Sequence, residues 1–407
     1  MLQDVRVLEL SAPETMLAGR ILADLGADVV TIEPPSGAAG RRMEPFLDDI
    51  PGLERSLTWH ALNRNKRGIT LNLNTVDGRA LLATLAQKFD AILESAESAG
   101  GAPLDRIDLP EKIIRCTISA FARSGPKSEY LSSDLLVMAA SGTPSMTGDS
   151  DRPPLFYTVP QSIMEAGSEA AIAVLGGLIA RDRDGLGNRT EVSARIAAMM
   201  TALSIPIIIG AGTPEPKRAE TVIAGVRVPN IYQCADGYVL VTVPAFGPAF
   251  GPMTQRLAKL AADEGHLTPD IAQLNWITFP RDLAQKTATP AHLQALVDGV
   301  TSLCLGKSKS EIGAAARKFG LLAAPMMDMK DIAESPQYRE RGLFTPVRIT
   351  PDGREIDAPA RFAQFSNFKI ETTRPAPSLS EHTAELLRAD AGISATELQA
   401  LFVHGVI

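Results

Sequence analysis

The sequence predicts an α/β protein: a parallel sheet with helices on both faces, and a second, smaller α+β domain further along the chain. Three observations carry this. Short apolar runs alternate with amphipathic segments over the first ninety residues, the pattern of repeated strand–helix units. The run Ala166 to Ala180 is rich in Ala, Gly and Leu with little polar face, so it reads as a helix buried on most sides. From Asn230 to Val243 the pattern changes to a hairpin with Ala235-Asp236-Gly237 at its turn.

The elements follow in order. Val5 to Leu10 is a buried strand, and Glu14 to Leu25 is a helix ending at Gly26, a natural terminator. Asp28 to Ile32 and Gly68 to Leu73 are the next strands, and Asp77 to Lys88 is a helix with apolar residues at helical spacing. Ala91 to Glu94, Lys112 to Ser119 and Thr190 to Val192 complete the strands. Val192 to Ile209 reads as a packed helix broken near Pro206. Ala211 to Arg218 is a linker by composition, and helices follow the hairpin to about residue 320. The expected organisation is a large domain over 1–210, a linker over 211–225, a small α+β domain over 226–330, and a tail over 331–407. Short helices and extended stretches such as Arg374-Pro375-Ala376-Pro377 suit that tail to wrapping over another surface.

Composition narrows the function. The 407 residues carry 40 Lys and Arg against 47 Asp and Glu, a net charge of −7 without a basic cluster, which excludes a typical nucleic-acid binder. The 45% hydrophobic content supports a large core. Cys116, Cys234 and Cys304 are far apart and odd in number, against a disulfide framework, and with five scattered histidines they suggest no metal site. The N-terminus does not read as a secretory signal, and no continuous run of 18 apolar residues suggests a membrane span, so the cytoplasm is the default location. No GxGxxG follows the first strand, so the dinucleotide fingerprint is absent.

An ordered set of motifs resembles the family III CoA-transferases along essentially the whole chain. It comprises Leu22-Ala-Asp-Leu-Gly-Ala-Asp-Val-Val-Thr-Ile-Glu-Pro-Pro, Asn63-Arg-Asn-Lys-Arg-Gly-Ile-Thr-Leu-Asn-Leu and Ser119-Ala-Phe-Ala-Arg-Ser-Gly-Pro. Asp134 through Ser141-Gly142, Thr147-Gly148, Ala235-Asp236-Gly237-Tyr238 and Leu379-Ser-Glu-His-Thr follow. The resemblance implies a Rossmann-like large domain formed by both chain ends, an inserted small domain, and two chains interlocked like links. It implies acyl-CoA and a carboxylic acid as substrates. In that chemistry an Asp attacks the thioester, an acyl anhydride forms, and the thiolate returns to give an aspartyl thioester before the acceptor acid completes the exchange.

The family Asp lies four residues before a Gly that opens the long helix. Here that Gly is Gly167, and the Asp position holds Ile163, which cannot act as a nucleophile. Glu165 is two residues on, but a helix turns about 100° per residue, so it points about 200° away. It reads as a helix-start Glu more readily than as a substitute. The chain therefore resembles the subunit lacking the Asp in the benzylsuccinate-type CoA-transferases, a similarity that the Pro153-Pro154 and Val159-Pro160-Gln161 stretch shares. The implied partner is a homologous subunit carrying the Asp. A homomeric transferase or racemase using another residue, and an acyl-CoA-binding or scaffold pseudoenzyme, are the alternatives.

For CoA itself, the resemblance points to Arg64, Lys66, Arg67 and Arg106 for phosphates and to Ala12, Pro13 and Leu71 for the groove. A family Asn-Phe-Arg-Pro-Gly segment is replaced by Ser95-Ala-Glu-Ser-Ala-Gly, which adds Glu97. Structural readings are expected elsewhere. Ser132, Ser133 and Asp134 form a capping cluster. Trp59 and His60 are packing or interface residues, His382 is structural, and Cys116 is an inert buried thiol. Met326, Met327 and Met329 are core or interface filler.

Overall fold

The computed structural model describes residues 1–96, 103–149, 151–212, 220–244, 246–349 and 353–407. The chain divides into two compact units. One comprises 1–144, 156–213 and 336–407; the other comprises 145–155 and 214–335.

The first unit is built on six parallel strands: β1 (Arg6–Leu10), β2 (Asp28–Glu33), β3 (Arg67–Thr70), β4 (Ala91–Ser95), β5 (Ile114–Ser119) and β6 (Asn188–Ser193). Their order is β3-β2-β1-β4-β5-β6, the doubly wound arrangement, with the strand order reversing between β1 and β4. Among the described residues this part of the chain holds the α-helices α1 (Met16–Asp24), α2 (Leu57–Leu62), α3 (Val76–Ala86), α4 (Asp134–Ser141), α5 (Ser162–Asp184), α6 (Ala194–Met200) and α7 (Ser204–Gly210). Val7, Val29, Ile114 and Ile118 pack one face of the sheet against Ala18 and Leu22 of α1 and Ala170 and Val174 of α5. α5 is small-residue-rich because it lies close: a Cβ on Gly177 would sit 2.7 Å from Ile114 Cγ2.

α5 is longer than the sequence suggests, and by length and composition alone it is apolar enough to cross a membrane, although Ser168 and Glu169 keep it from being an unbroken apolar run. Here one side of it packs on the sheet, while Ile172 and Ile179 are exposed. The break expected at Pro206 falls earlier, between α6 and α7. Pro206 sits in the first turn of α7, where its missing N–H has no helical acceptor to lose.

The second unit opens with a hairpin of β7 (Glu220–Ile223) and β8 (Val226–Pro229). Part of the expected linker, 220–223, is therefore a strand, because Thr221 and Val222 pair with Val228 and Arg227. Residues 213–219 of that linker, and Glu97, lie outside the described residues. β9 (Ile231–Cys234) and β10 (Gly237–Val241) form the hairpin read from the sequence. Helices α8 (Gly247–Asp263), α9 (Pro269–Ala272), α10 (Phe279–Ala284), α11 (Pro290–Leu305) and α12 (Lys309–Phe319) follow, then β11 (Ala323–Pro325), which joins the sheet, and α13 (Met329–Glu334). The core centres on Trp276 and Phe279, stacked at 4.6 Å between ring centroids. Met326, Met327 and Met329 are exposed, not core, because β11 is a short edge strand and α13 buries no residue.

The tail returns to the first unit as α14 (Pro336–Glu340), the hairpin of β12 (Phe344–Arg348) and β13 (Glu355–Pro359), α15 (Thr383–Ala391) and α16 (Ala395–Val403). Leu386, Leu387 and Leu398 close the second face of the sheet with Leu82 and Leu85 of α3. His382 ties the tail to β3: its backbone N–H donates to Gly68 O at 2.9 Å, and its Nδ1 accepts from Gly68 N–H at 3.2 Å.

Candidate functional site

A cavity of about 670 Å³ lies within the first unit, outside the carboxyl ends of the strands. This is where an open α/β sheet binds its ligand. Each wall follows a strand. Leu10 to Glu14 leave β1, Glu33, Pro34, Ala38 and Ala39 leave β2, and Leu71 to Asn74 leave β3. Arg106 follows β4, Ala120 follows β5 and Ala194 follows β6. From β3 to β6 is five strand spacings of about 4.8 Å, about 24 Å in all, so the edge suits an extended ligand.

The end near β5 and β6 is made by α4 and α5. Ala120, Val137, Ile163 and Ala194 give it an apolar surface. Asp134 sits among them. Its Oδ1 accepts from the backbone N–H of Gln161 at 2.9 Å and of Ser162 at 2.8 Å, and from Ser162 Oγ at 2.7 Å. Gln161 makes no capping bond, so Asp134 caps α5 from another helix. Ser133 in turn caps α4 by accepting from Leu136 N–H. The other Asp134 oxygen, Oδ2, is buried without a hydrogen-bond partner among the described residues. Glu165 Oε2 is likewise unpartnered, and burial, with the nearby Asp134, pushes the Glu165 carboxyl above its ordinary range. Glu165 does not line the cavity; Ile163 does.

The residues read from the sequence divide. Ala12, Pro13, Leu71, Arg106 and Ile163 all line the cavity. Arg64, Lys66 and Arg67 do not. Lys66 is fully buried and holds Glu9 at 2.6 Å, Met16 O at 2.8 Å and Asn63 Oδ1 at 2.8 Å. Burial lowers its ammonium pKa, and Glu9 opposes that shift. Arg67 grips Asp28 with Nε and Nη2 and reaches Glu385. Arg64 is buried, donates to Pro359 O at 2.5 Å, and burial brings its pKa down to about 10. Their shared motif placed them together in sequence, but these side chains brace the fold.

Two further positions were missed. Arg79 of α3 lines the cavity, with its Nη1 donating to Leu73 O at 3.0 Å and Asn74 O at 3.1 Å. Its signal was the single Arg in Asp77-Gly78-Arg79, indistinguishable in sequence from any exposed helix cation. Arg41 fixes the β2 side: it is fully buried, grips both Glu33 oxygens at 2.6 and 2.8 Å, and lies 4.0 Å over the Trp59 ring. Trp59 is a packing residue and donates to Pro377 O. All three cysteines are free and buried, and burial pushes the Cys116 thiol up to about 12. Among the described residues no group of three His, Cys, Asp or Glu side chains is placed to hold a metal ion.

Fold and cavity together define a doubly wound α/β protein with an extended cavity along the carboxyl ends of its strands. The chain belongs to CoA-transferase family III, whose model matches residues 2–383. It is 26% identical to succinyl-CoA:(R)-benzylsuccinate CoA-transferase subunit BbsE of Thauera aromatica, across 99% of this chain and 97% of that one. It is 27% identical to succinate–glutarate CoA-transferase of Agrobacterium fabrum, across 95% and 94%. A crystal structure of a CAIB/BAIF family protein from Brucella suis superposes with a TM-score of 0.75 at 25% identity, covering 95% of this chain and 97% of that chain.

Proposed function

We propose that this chain is the acyl-CoA-binding, non-nucleophilic subunit of a heteromeric CoA-transferase that moves CoA from succinyl-CoA to an aromatic succinate. A homologous subunit supplies the attacking Asp. Ile163 carries the reading: an alkyl side chain lines the cavity where the family chemistry needs a carboxylate. This chain's part is to hold the thioester against the apolar end and exclude water from it. The two subunits are expected to interlock, and the exposed Ile172 and Ile179 of α5 with Met200 of α6 and Ile207 of α7 offer apolar surface for that. Three free thiols suit a cytoplasmic setting.

Expression with and without the homologous subunit tests this. The chain alone is expected to bind acyl-CoA in calorimetry without exchanging it, and the pair to exchange. Full exchange by the chain alone sinks the reading, and a folded chain giving no heat with CoA leaves only a scaffold role.

One observation favours a second reading, a homomer with its own carboxylate. Asp134, not Glu165, lines the cavity with an unpartnered oxygen. In that case Oδ2 attacks the thioester carbonyl, the C–S bond breaks, and CoA leaves as thiolate, giving a mixed anhydride on Asp134. The thiolate then attacks the Asp134 carbonyl and releases the donor acid; the acceptor carboxylate reverses both steps. Hydroxylamine trapping during turnover would convert Asp134 to a hydroxamate visible by mass spectrometry. An unmodified Asp134 peptide under active exchange eliminates this version.

A further inference from the structure

The second face of the sheet is covered unevenly. The apolar cluster under α3, α15 and α16 takes residues from β1 to β4 but none from β5 or β6. On that face β5 presents Arg115 and Thr117, which alternate with Ile114, Cys116 and Ile118 of the opposite core. They border a further cavity of about 330 Å³, at the lower end of the range for small-molecule sites. It shares no lining residue with the larger cavity. Among the described residues its lining carries three guanidiniums, those of Arg115, Arg123 and Arg189, against the carboxylate of Glu191. Arg115 and Arg189 are partners in the β5–β6 register, so their side chains leave one face from backbones about 4.8 Å apart. Like charges that close repel unless anions stand beside both. Arg115 has such neighbours: Nε and Nη2 donate to Glu94 Oε1 at 2.8 and 2.5 Å, and Nη2 to Asp105 Oδ1 at 2.8 Å. Arg123 also pairs with Asp105. Glu191 Oε1 is taken by Ser119 Oγ and the Arg123 N–H. Arg189 has no hydrogen-bond or ion-pair partner among the described residues. Arg115, with only 5% of its side chain exposed, keeps Nη1 without one as well.

We propose that this cavity is a second ligand site, which takes a small oxyanion, a carboxylate or a phosphate, on the fork of Arg189 with Arg115 Nη1 completing the grip. A planar guanidinium matches two oxygens of such an anion, and the Ser124 hydroxyl on the lining is a further donor. The anion gives Arg189 the negative neighbour that Arg115 already has in Glu94. The site stands apart from the acyl-CoA reading and does not depend on it.

Calorimetry on the full chain with acetate, succinate and inorganic phosphate, at an ionic strength held constant with chloride, tests it. Wild type is expected to bind at least one of the three. Arg189 is exposed, so Arg189→Gln is expected to fold with an undiminished thermal midpoint. It is expected to weaken the binding by about 10-fold or more, because the amide lacks both the charge and the fork. Arg106→Gln, on the lining of the larger cavity, is expected to leave the affinity within about twofold. Tighter binding of phosphate than of the two acids assigns the site to a phosphate group, and the reverse order assigns it to a carboxylate; either supports the proposal. Equal affinity in wild type and Arg189→Gln overturns it, as does a folded wild type that binds none of the three. A loss in Arg106→Gln with none in Arg189→Gln places the anion in the larger cavity and also overturns it, while leaving the acyl-CoA reading intact.

Discussion

Lys66 and Glu9 form an ion pair with neither side chain exposed, beneath a helix that passes close enough to need Gly19. A Cβ at that glycine would stand 2.0 Å from Glu9 Oε2. Removing one partner strands a buried charge, so Lys66→Met is expected to destabilise the protein by about 3–5 kcal/mol in urea unfolding. Glu9→Leu combined with Lys66→Met is expected to recover much of that loss. Asp134 invites a similar separation. Asp134→Asn keeps an oxygen acceptor for the Gln161 and Ser162 N–H groups, whereas Asp134→Ala removes the cap. The Ala variant is expected to lose about 1–2 kcal/mol and the Asn variant less. Sequence reading could find Asp134 as a capping residue. It could not find that the helix it caps begins 28 residues later, because that bond exists only after α4 and α5 meet.

At the scale of elements, the β3 edge depends on the tail. His382 Nδ1 accepts a hydrogen bond from the Gly68 N–H, a bond that needs the neutral ring. Burial lowers the His382 pKa below its ordinary 6.5; Glu381 at 3.9 Å opposes this more weakly. His60 is lowered for the same leading cause. A group with a depressed folded pKa binds protons more readily in the unfolded chain. Stability is therefore full above about 6.5 and is lost as the pH falls through the folded value. The His382→Asn variant, whose amide oxygen can accept from Gly68, is expected to lose less stability between pH 7 and about pH 5. Comparing denaturation midpoints of the two proteins at both pH values checks this. The strand–helix alternation was legible because each element repeats a local period. That α15 and α16 cover the same sheet as α3 was not, since their apolar faces name no partner until they are packed.

At the scale of the molecule, each unit carries one tryptophan: Trp59 in the first and Trp276 in the second, both fully buried. Trp276→Phe leaves a fluorescence reporter of the first unit, and Trp59→Phe leaves one of the second. Two separate cores predict two urea transitions with distinct midpoints, whereas coincident transitions would mean a single cooperative fold. If the exposed isoleucines of α5 serve subunit association, Ile172→Lys with Ile179→Lys is expected to shift the protein to monomer in light scattering without changing its far-ultraviolet circular dichroism.

By itself the sequence determined the strand–helix order, the hairpin of the second unit, the family and the alkyl side chain at Ile163, because periodicity, turn chemistry and residue identity are local. Tertiary structure decided what each charge is for. Arg64, Lys66 and Arg67 lie in one basic motif, yet the fold turns them toward Pro359, Glu9 and Asp28. Arg79 and Arg106, far apart in sequence, come to line the same cavity. A charge is free to bind a ligand only if folding has not already brought it a partner, and the partners come from strands and tails distant along the chain.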